Sequence, residues 1–154
     1  MKAAAAPQAE AKVSTWGYQN SVDKMTGKSV KTASLTSTQS MSLEFPYQGN
    51  NYAQIEVRKN KSNTDEVLFS FEKGQSLCKN YGDPCRVMVR FDDAQPVAYG
   101  GHGPSDGSSN YVFLSPAAKF AADAKKAKKI KVSLDIYNNG TQILEFTTAT
   151  PLNW

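Results

Sequence analysis

The stretch KIKVSLDIYNNGTQILEFTT (residues 129–148) decides the fold class, because it holds two strand patterns joined by a turn signal. In its first half, apolar side chains recur at every second position: Ile130, Val132, Leu134 and Ile136. A period of two is typical of a strand with one buried face. The NNG that follows favours a tight turn, so the stretch predicts an antiparallel β-hairpin.

The same alternation occurs in other parts of the chain. YAQIEVRKN (52–60), EVLFSFE (66–72) and RVMVRFDD (86–93) each place apolar residues on one face, and NKSNTD (60–65) links the first two. Weaker strand patterns are VSTWGYQNS (13–21), SVKTASLTS (29–37) and YVFLS (111–115), and the first two flank the turn-like VDKMTGK. Eight or nine strands predict an all-β fold, either an antiparallel β-sandwich or a strongly curved sheet.

One short helix is expected in the C-terminal third of the chain. Ser115 is a candidate cap, Pro116 suits a first helical turn, and an apolar stripe follows at Ala117, Phe120, Ala121 and Ala124. We expect this helix to end near Lys128. The preceding segment, PVAYGGHGPSDGSSN (96–110), has four glycines and two prolines and is predicted to be a mobile surface loop.

The length of 154 residues fits a single domain. That domain is expected to span residues 13–154, preceded by a flexible tether, MKAAAAPQAEAK, at 1–12. The tether lacks the apolar core of ~7–15 residues that an intact signal peptide needs. No stretch of the sequence approaches the ~18 apolar residues of a transmembrane helix.

The two cysteines, Cys78 and Cys85, enclose four turn-forming residues: Asn80, Gly82, Asp83 and Pro84. A structural zinc site needs four nitrogen or sulfur ligands, and the single histidine, His102, does not complete such a set. A thioredoxin-type pair requires Cys-x-x-Cys spacing. A disulfide therefore fits best, with two reduced buried thiols as the alternative. A disulfide implies an oxidising compartment, such as the periplasm or the cell exterior.

The net charge of +4 owes much to one run, KKAKKIK (125–131). Its lysines Lys125, Lys126, Lys128 and Lys129 are candidates for electrostatic steering of an anionic partner, although ordinary solvated lysines are the favoured explanation of the run. Arginines are few and export is expected, so nucleic acid is not an expected partner.

Candidate catalytic groups are sparse in this sequence. His102 would be the only available base for a Ser-His-Asp arrangement, and the cysteines are expected in a disulfide, so no catalytic residue is predicted. Asp92 and Asp93 are adjacent on a predicted strand, so their side chains should point to opposite faces instead of into one cleft. Together with Asp106 they are candidate calcium ligands, but no twelve-residue calcium loop is present, and no metal or cofactor is predicted.

Several segments resemble a family of small secreted or lipid-anchored bacterial proteins that are known mainly as hypothetical proteins. These segments are WGY (16–18), DKMTGK (23–28), FPYQG (45–49), IEVRK (55–59), GQSLC (74–78), CRVMVRFDD (85–93) and LNW (152–154). The resemblance covers nearly all of the chain after residue 13. It implies export, a β-rich fold and a possible lipid anchor at the N-terminus. It implies no activity, and no site residue is carried over from it.

These observations predict a non-catalytic exported binding module, located in the periplasm or anchored at the outer membrane. The expected partner is another protein of the cell envelope. We expect an immunity or inhibitor protein that binds a toxin or hydrolase, through loop residues Gly101, His102, Ser105, Asp106 and Ser108. The alternative is an accessory subunit of a secretion or assembly apparatus, which should show a long exposed strand edge or apolar patch. A hydrolase or calcium-dependent binder is the third possibility.

Overall fold

The computed structural model describes residues 13–60 and 64–154. The described chain contains nine strands and one helix, in agreement with the all-β prediction. The strands are β1 (Gly17–Val22), β2 (Ser29–Thr36), β3 (Ala53–Asn60), β4 (Thr64–Phe71), β5 (Cys85–Phe91), β6 (Val97–His102), β7 (Tyr111–Ser115), β8 (Lys129–Ile136) and β9 (Gly140–Thr147). Helix α1 (Ala117–Ala124) lies between β7 and β8. The predicted tether at 1–12 and the centre of the β3–β4 turn lie outside the described residues.

All nine strands form one antiparallel sheet in the order β1-β2-β3-β4-β7-β6-β5-β8-β9. The three predicted hairpins are present as β1–β2, β3–β4 and β8–β9. The strongly curved sheet, and not the sandwich, is therefore the architecture of this chain.

The curvature of the sheet is visible in contacts between its two ends. The N–H of Ser14, just before β1, donates to the carbonyl oxygen of Thr147 in β9 at 2.7 Å. The N–H of Thr38, just after β2, donates to the carbonyl oxygen of Glu145 at 2.8 Å. Because β1 and β9 end the strand order on opposite sides, the sheet must bend to bring them together. The ladder itself does not close.

The apolar core lies on the inner face of this curved sheet, under α1. The residues that alternation placed inward are buried: Ala53, Ile55, Val57, Val67, Phe69, Phe71, Val87, Val89, Phe91, Ile130, Val132, Leu134 and Ile136. Phe120 of the helix packs edge-on against Phe91 and Tyr99, with ring centroids 5.2 and 5.7 Å apart. The helix thus covers the centre of the sheet.

The prediction that 96–110 is a loop is wrong for its first half, because Val97–His102 forms strand β6 between β5 and β7. Two glycines concealed this strand. A Cβ atom on Gly101 would lie 2.7 Å from the Cys85 sulfur and 2.9 Å from a methyl group of Val112. The glycine is thus required by close packing inside the sheet and does not indicate a flexible loop.

The predicted boundaries of the helix are also corrected. Ser115 belongs to β7, Pro116 occupies the cap position, and no side chain among the described residues caps the helix. The helix ends at Ala124 and not near Lys128. Its last carbonyl, that of Ala124, accepts the N–H of Ala127 at 3.4 Å and the N–H of Leu152 at 3.2 Å, so the C-terminal segment contacts the chain where the helix ends.

Strand β5 ends at Phe91, two residues earlier than predicted. Asp92 has a positive φ of 51°, and its Oδ1 accepts the N–H groups of Lys128 and Lys129 at 3.1 and 3.0 Å. Asp92 therefore ends β5 and fixes the start of β8. The argument that Asp92 and Asp93 alternate along a strand does not hold, since both lie in the turn after β5.

Candidate functional site

The predicted disulfide between Cys78 and Cys85 is present, with Cα atoms 5.1 Å apart. Cys85 is the first residue of β5, so the bond ties the intervening loop to the sheet. We call residues 78–85 the disulfide loop. It presents Tyr81, whose side chain is 68% exposed, with the Lys79 ammonium 5.7 Å from the ring centroid. A short covalent loop thus holds an aromatic side chain and a cation towards solvent.

The disulfide loop is bonded to the segment that connects β6 with β7. We call residues 103–109 of this segment the glycine loop. The N–H of Gly103 donates to the carbonyl oxygen of Lys79 at 2.9 Å, and the side-chain amide of Asn80 donates to the carbonyl oxygen of Ser105 at 3.4 Å. Both loops therefore form one surface.

A pocket of about 310 Å³ lies between these two loops. On one side it is lined by Lys79, Asn80 and Tyr81, and on the other by Pro104 and Ser108. Its walls combine an aromatic ring, an ammonium group, an amide and a hydroxyl group. Such a set can accept a side chain of a partner by stacking and by hydrogen bonds.

Two neighbouring loops extend this surface at the same end of the sheet. The N–H of Tyr137, in the β8–β9 turn, donates to the carbonyl oxygen of Gln75 at 2.7 Å. The side-chain amide of Gln75 donates to the Tyr47 hydroxyl at 2.9 Å. The N–H of Ser76 donates to the carbonyl oxygen of Ser109 at 2.7 Å, which connects this group to the glycine loop.

Large exposed apolar side chains project from the loops at this end of the sheet. They include Phe45, Leu77, Tyr81 and Tyr137. We define the loop end as these four residues together with the disulfide loop and the glycine loop. Exposed aromatic side chains on a rigid scaffold are frequent anchors in protein interfaces.

The structure brings only part of the predicted partner-binding set to this surface. Gly101 is buried inside the sheet, and His102 is half-buried at the end of β6. Ser105 and Asp106 are exposed in the glycine loop, and Ser108 lines the pocket. The N–H of Ser108 donates to Asp106 Oδ1 at 2.8 Å. This backbone bond, aided by the Ser108 hydroxyl, holds the pKa of Asp106 below its usual range.

The lysines predicted to steer a partner lie away from the loop end. Lys125, Lys126, Lys128 and Lys129 are all exposed. Lys129 begins β8, whose other end, Ile136, is next to Tyr137 at the loop end. At about 3.3 Å per residue, β8 separates the two places by roughly 23 Å. That distance exceeds the Debye length of about 8 Å at physiological salt, so steering of a partner to the loop end would be weak.

The candidate calcium ligands are dispersed in the structure. Asp92 and Asp93 follow β5, whereas Asp106 lies in the glycine loop at the other end of the sheet. Within residues 13–60 and 64–154, no three His, Cys, Asp or Glu side chains are grouped so that they could hold a metal ion. The fold therefore does not bring these three aspartates together as ligands of one calcium ion.

Sequence reasoning missed a second concave region, on the outer face of β5, β8 and β9. This groove has a volume of about 570 Å³. Its lining residues are Gln39, Met88, Arg90, Pro96, Lys131, Ser133, Ile143 and Glu145. Met88 lies opposite Ser133, and Ser133 lies opposite Ile143, on three adjacent strands. The groove could therefore be predicted only from the order of the strands, which the alternation of apolar residues does not reveal.

Comparison of the chain with family models, with curated proteins and with solved structures gave no match. Among the helices of the described chain, none has the length and apolar character needed to cross a membrane.

Proposed function

We propose that this chain is a non-catalytic binding module of the bacterial cell envelope, and that it acts by holding another protein at its loop end. The proposal rests on the loop end itself, where a disulfide and several backbone hydrogen bonds hold a surface with exposed aromatic side chains, one of which, Tyr81, lines a pocket. Preorganised aromatic anchors lose little conformational entropy on binding, so they favour a protein interface.

The disulfide supports an exported location for this module, because such bonds persist in oxidising compartments. We propose the periplasm or the outer membrane surface as its place of action.

Among partners, we propose a toxin or hydrolase that the module inhibits. Inhibitors commonly present a rigid, preformed loop to an enzyme cleft, and their interface backbone moves little on binding. The glycine loop has this character, because Gly103, Ser105 and Ser109 are each bonded through the backbone to the 76–80 segment. The recognition surface is then composite: the disulfide loop supplies the aromatic anchor, and the glycine loop supplies polar contacts.

The accessory-subunit function remains a second proposal, because one observation favours it. Strand β1 forms an edge of the sheet, and all six of its residues are exposed. A long exposed edge was the feature expected of a subunit in an assembly.

The test starts with capture of the partner from an envelope extract of cells that produce the protein, followed by mass spectrometry. Binding of the purified partner is then measured for Tyr81→Ser and for Ile143→Ser. These two side chains are matched in exposure, at 68% and 69%, but Ile143 lies in the outer groove. We expect Tyr81→Ser to raise the dissociation rate about thirtyfold, equivalent to ~2 kcal/mol, and Ile143→Ser to bind normally.

Equal binding by the two variants, with both folded, would contradict the loop end as the interface. Whether the captured partner is an enzyme decides between the two proposals. Inhibition of its activity by the wild-type module supports the inhibitor. Partners that are only structural envelope proteins support the subunit.

A further inference from the structure

Strand β1 is an edge of the sheet, and the C-terminal segment contacts it at the side chain of Tyr18. The N–H of Asn153 donates to the Tyr18 hydroxyl at 2.9 Å, and the ring centroids of Tyr18 and Trp154 are 6.5 Å apart. The backbone of β1 itself forms a regular edge. It pairs residue by residue with β2 from Gly17 to Val22, without a bulge. The strand, GYQNSV, contains neither proline nor a charged residue. Natural proteins usually block such edges with lysine, proline, bulges or covering segments, because an open edge pairs readily with another strand.

The backbone groups that face outward can be identified from the turn between β1 and β2. The N–H of Asp23 donates to the carbonyl oxygen of Lys28 at 2.8 Å, so residue 23 points its backbone towards β2. Along an antiparallel strand, the N–H and C=O groups of successive residues point alternately to one neighbouring strand position and to the opposite side. Tyr18, Asn20 and Val22 therefore direct their N–H and C=O groups to the open edge, where no backbone partner lies within the described chain.

Several lysines lie on or near the β1–β2 hairpin. Lys31 and Lys59 lie directly opposite each other in the β2–β3 pair, and Lys31 also faces Asn20 of β1. Like charges in opposite positions destabilise a sheet, so this arrangement favours the approach of an anion. In the turn, Lys24 and Lys28 add two exposed cations.

The one acidic group on this hairpin is already engaged. Asp23 Oδ1 accepts the N–H groups of Met25 and Thr26 at 2.8 and 3.3 Å. These backbone bonds hold the pKa of Asp23 below its usual range, so the carboxylate remains charged and committed to the turn. The lysines of this hairpin are therefore available to an acidic partner.

We propose that β1 accepts an extended acidic segment of a partner protein, which adds to the sheet as a tenth strand by backbone hydrogen bonds to Tyr18, Asn20 and Val22. Strand addition of this kind takes affinity from the main chain and specificity from side-chain contacts. This inference rests on the proposed protein-binding function but uses a surface distinct from the loop end.

The probe for this site is a blocked peptide of sequence TEVEVET, compared with its lysine counterpart TKVKVKT. Amide signals of the nitrogen-15-labelled protein are followed by NMR during titration with each peptide. We expect the acidic peptide to shift and protect the amides of Tyr18, Asn20 and Val22, and to bind about tenfold more tightly than the lysine peptide.

Two variants make the prediction specific. Asn20→Pro removes one outward donor but leaves the ladder to β2 intact, because proline is tolerated at a solvent-facing position of an edge strand. It should weaken the acidic peptide at least tenfold, whereas Ser21→Ala, on the same strand, should not. The paired change Lys31→Glu and Lys59→Glu should invert the preference between the two peptides. The double lysine variant removes no backbone group. It therefore tests the proposal even if Asn20→Pro disturbs the hairpin.

Absence of protection at the three amides with the acidic peptide would overturn the proposal, as would equal binding of both peptides. Concentration-dependent self-association in sedimentation, abolished by Asn20→Pro, would assign the edge to a second copy and would also overturn it. Tyr81→Ser serves as the separating control, since it should bind the acidic peptide normally. The experiments can therefore refute peptide binding at β1 without refuting partner binding at the loop end, and they can refute partner binding without refuting peptide binding.

Discussion

The N–H of Gly103 donates a 2.9 Å hydrogen bond to the carbonyl oxygen of Lys79, and this bond joins the glycine loop to the disulfide loop. A Cβ atom on residue 103 would lie 3.0 Å from the carbonyl oxygen of Cys78, so glycine permits the close approach of the two loops. Because Cys78 is bonded covalently to Cys85 at the start of β5, the sheet fixes the position of both loops. The shape of the loop end therefore depends on the disulfide.

Removal of the disulfide should destabilise the protein and loosen the loop end. For so short a closed loop, chain-entropy arithmetic gives a loss of about 2.5 kcal/mol in the free energy of unfolding of the Cys78→Ser, Cys85→Ser double variant. Urea unfolding monitored by circular dichroism measures this loss. Wild type unfolded in reductant is the matched control and should lose a similar amount. A change below about 0.5 kcal/mol in both would contradict the role of the bond.

Truncation of Phe91 should be costly, because its ring is only 8% exposed and packs against Phe120 of the helix. We expect Phe91→Ala to lower the free energy of unfolding by ~3–5 kcal/mol. Arg86, near the start of the same strand, points to the opposite face and is exposed. Arg86→Ala should therefore change stability by less than about 0.5 kcal/mol. Similar losses in the two variants would show that the inner face of β5 is assigned wrongly.

Asp92 and Asp93 are adjacent in sequence but should differ in their effect on stability. Asp92→Ala removes the acceptor of two N–H groups and places alanine at a positive φ, so we expect a loss of about 1–2 kcal/mol. Asp92→Asn should retain most of the stability, since asparagine tolerates this conformation and keeps an acceptor oxygen. Asp93→Ala should be within about 0.5 kcal/mol of wild type. Thermal unfolding of the three variants provides the comparison, and a loss at Asp93 equal to that at Asp92 would refute it.

Tyr99 should make stability dependent on pH in the alkaline range. Burial, with a smaller contribution from the negative charge of Asp123, raises the pKa of Tyr99 from 10.0 to about 12. Its hydroxyl group is buried and makes no hydrogen bond to the described chain. The unfolded chain therefore loses the proton before the folded chain does. The stabilising contribution of the protonated form is complete below pH 10.0 and declines as pH rises towards about 12.

The variant Tyr99→Phe isolates this effect. It should match or exceed wild type in stability at neutral pH, because it removes a buried hydroxyl group without a partner. From pH 10 upwards it should lose less stability than wild type. Urea unfolding at pH 7, 10 and 11 measures the difference between the two proteins. A difference that does not grow with pH would show that Tyr99 ionises equally in both states.

Much of the fold was predictable because burial on one face imposes a period of two, which the sequence displays directly in β3, β4, β5 and β8. Strand β6 was hidden because close packing against Cys85 and Val112 requires Gly101, and the same residue type also marks loops. The end of α1 is contacted by Leu152, which is far away in sequence and meets the helix only in the folded chain. Local patterns contain no information on such a contact.

The candidate site was predictable only in part, for a similar reason. Turn-forming residues indicated the disulfide loop and the glycine loop separately, but not their bond through Lys79 and Gly103. Phe45 and Tyr137 join the same surface through strand order, which places loops distant in sequence at one end of the sheet. The open edge at β1 likewise follows from strand order and not from the residues of β1.

The central claim is that the loop end binds a partner protein, and hydrogen–deuterium exchange of the module with and without the captured partner tests it most directly. The account predicts slower exchange on binding in residues 78–85 and 103–109, with 129–136 unchanged as an internal reference. Slower exchange confined to the outer groove or to the lysine run, with the two loops unaffected, would contradict it.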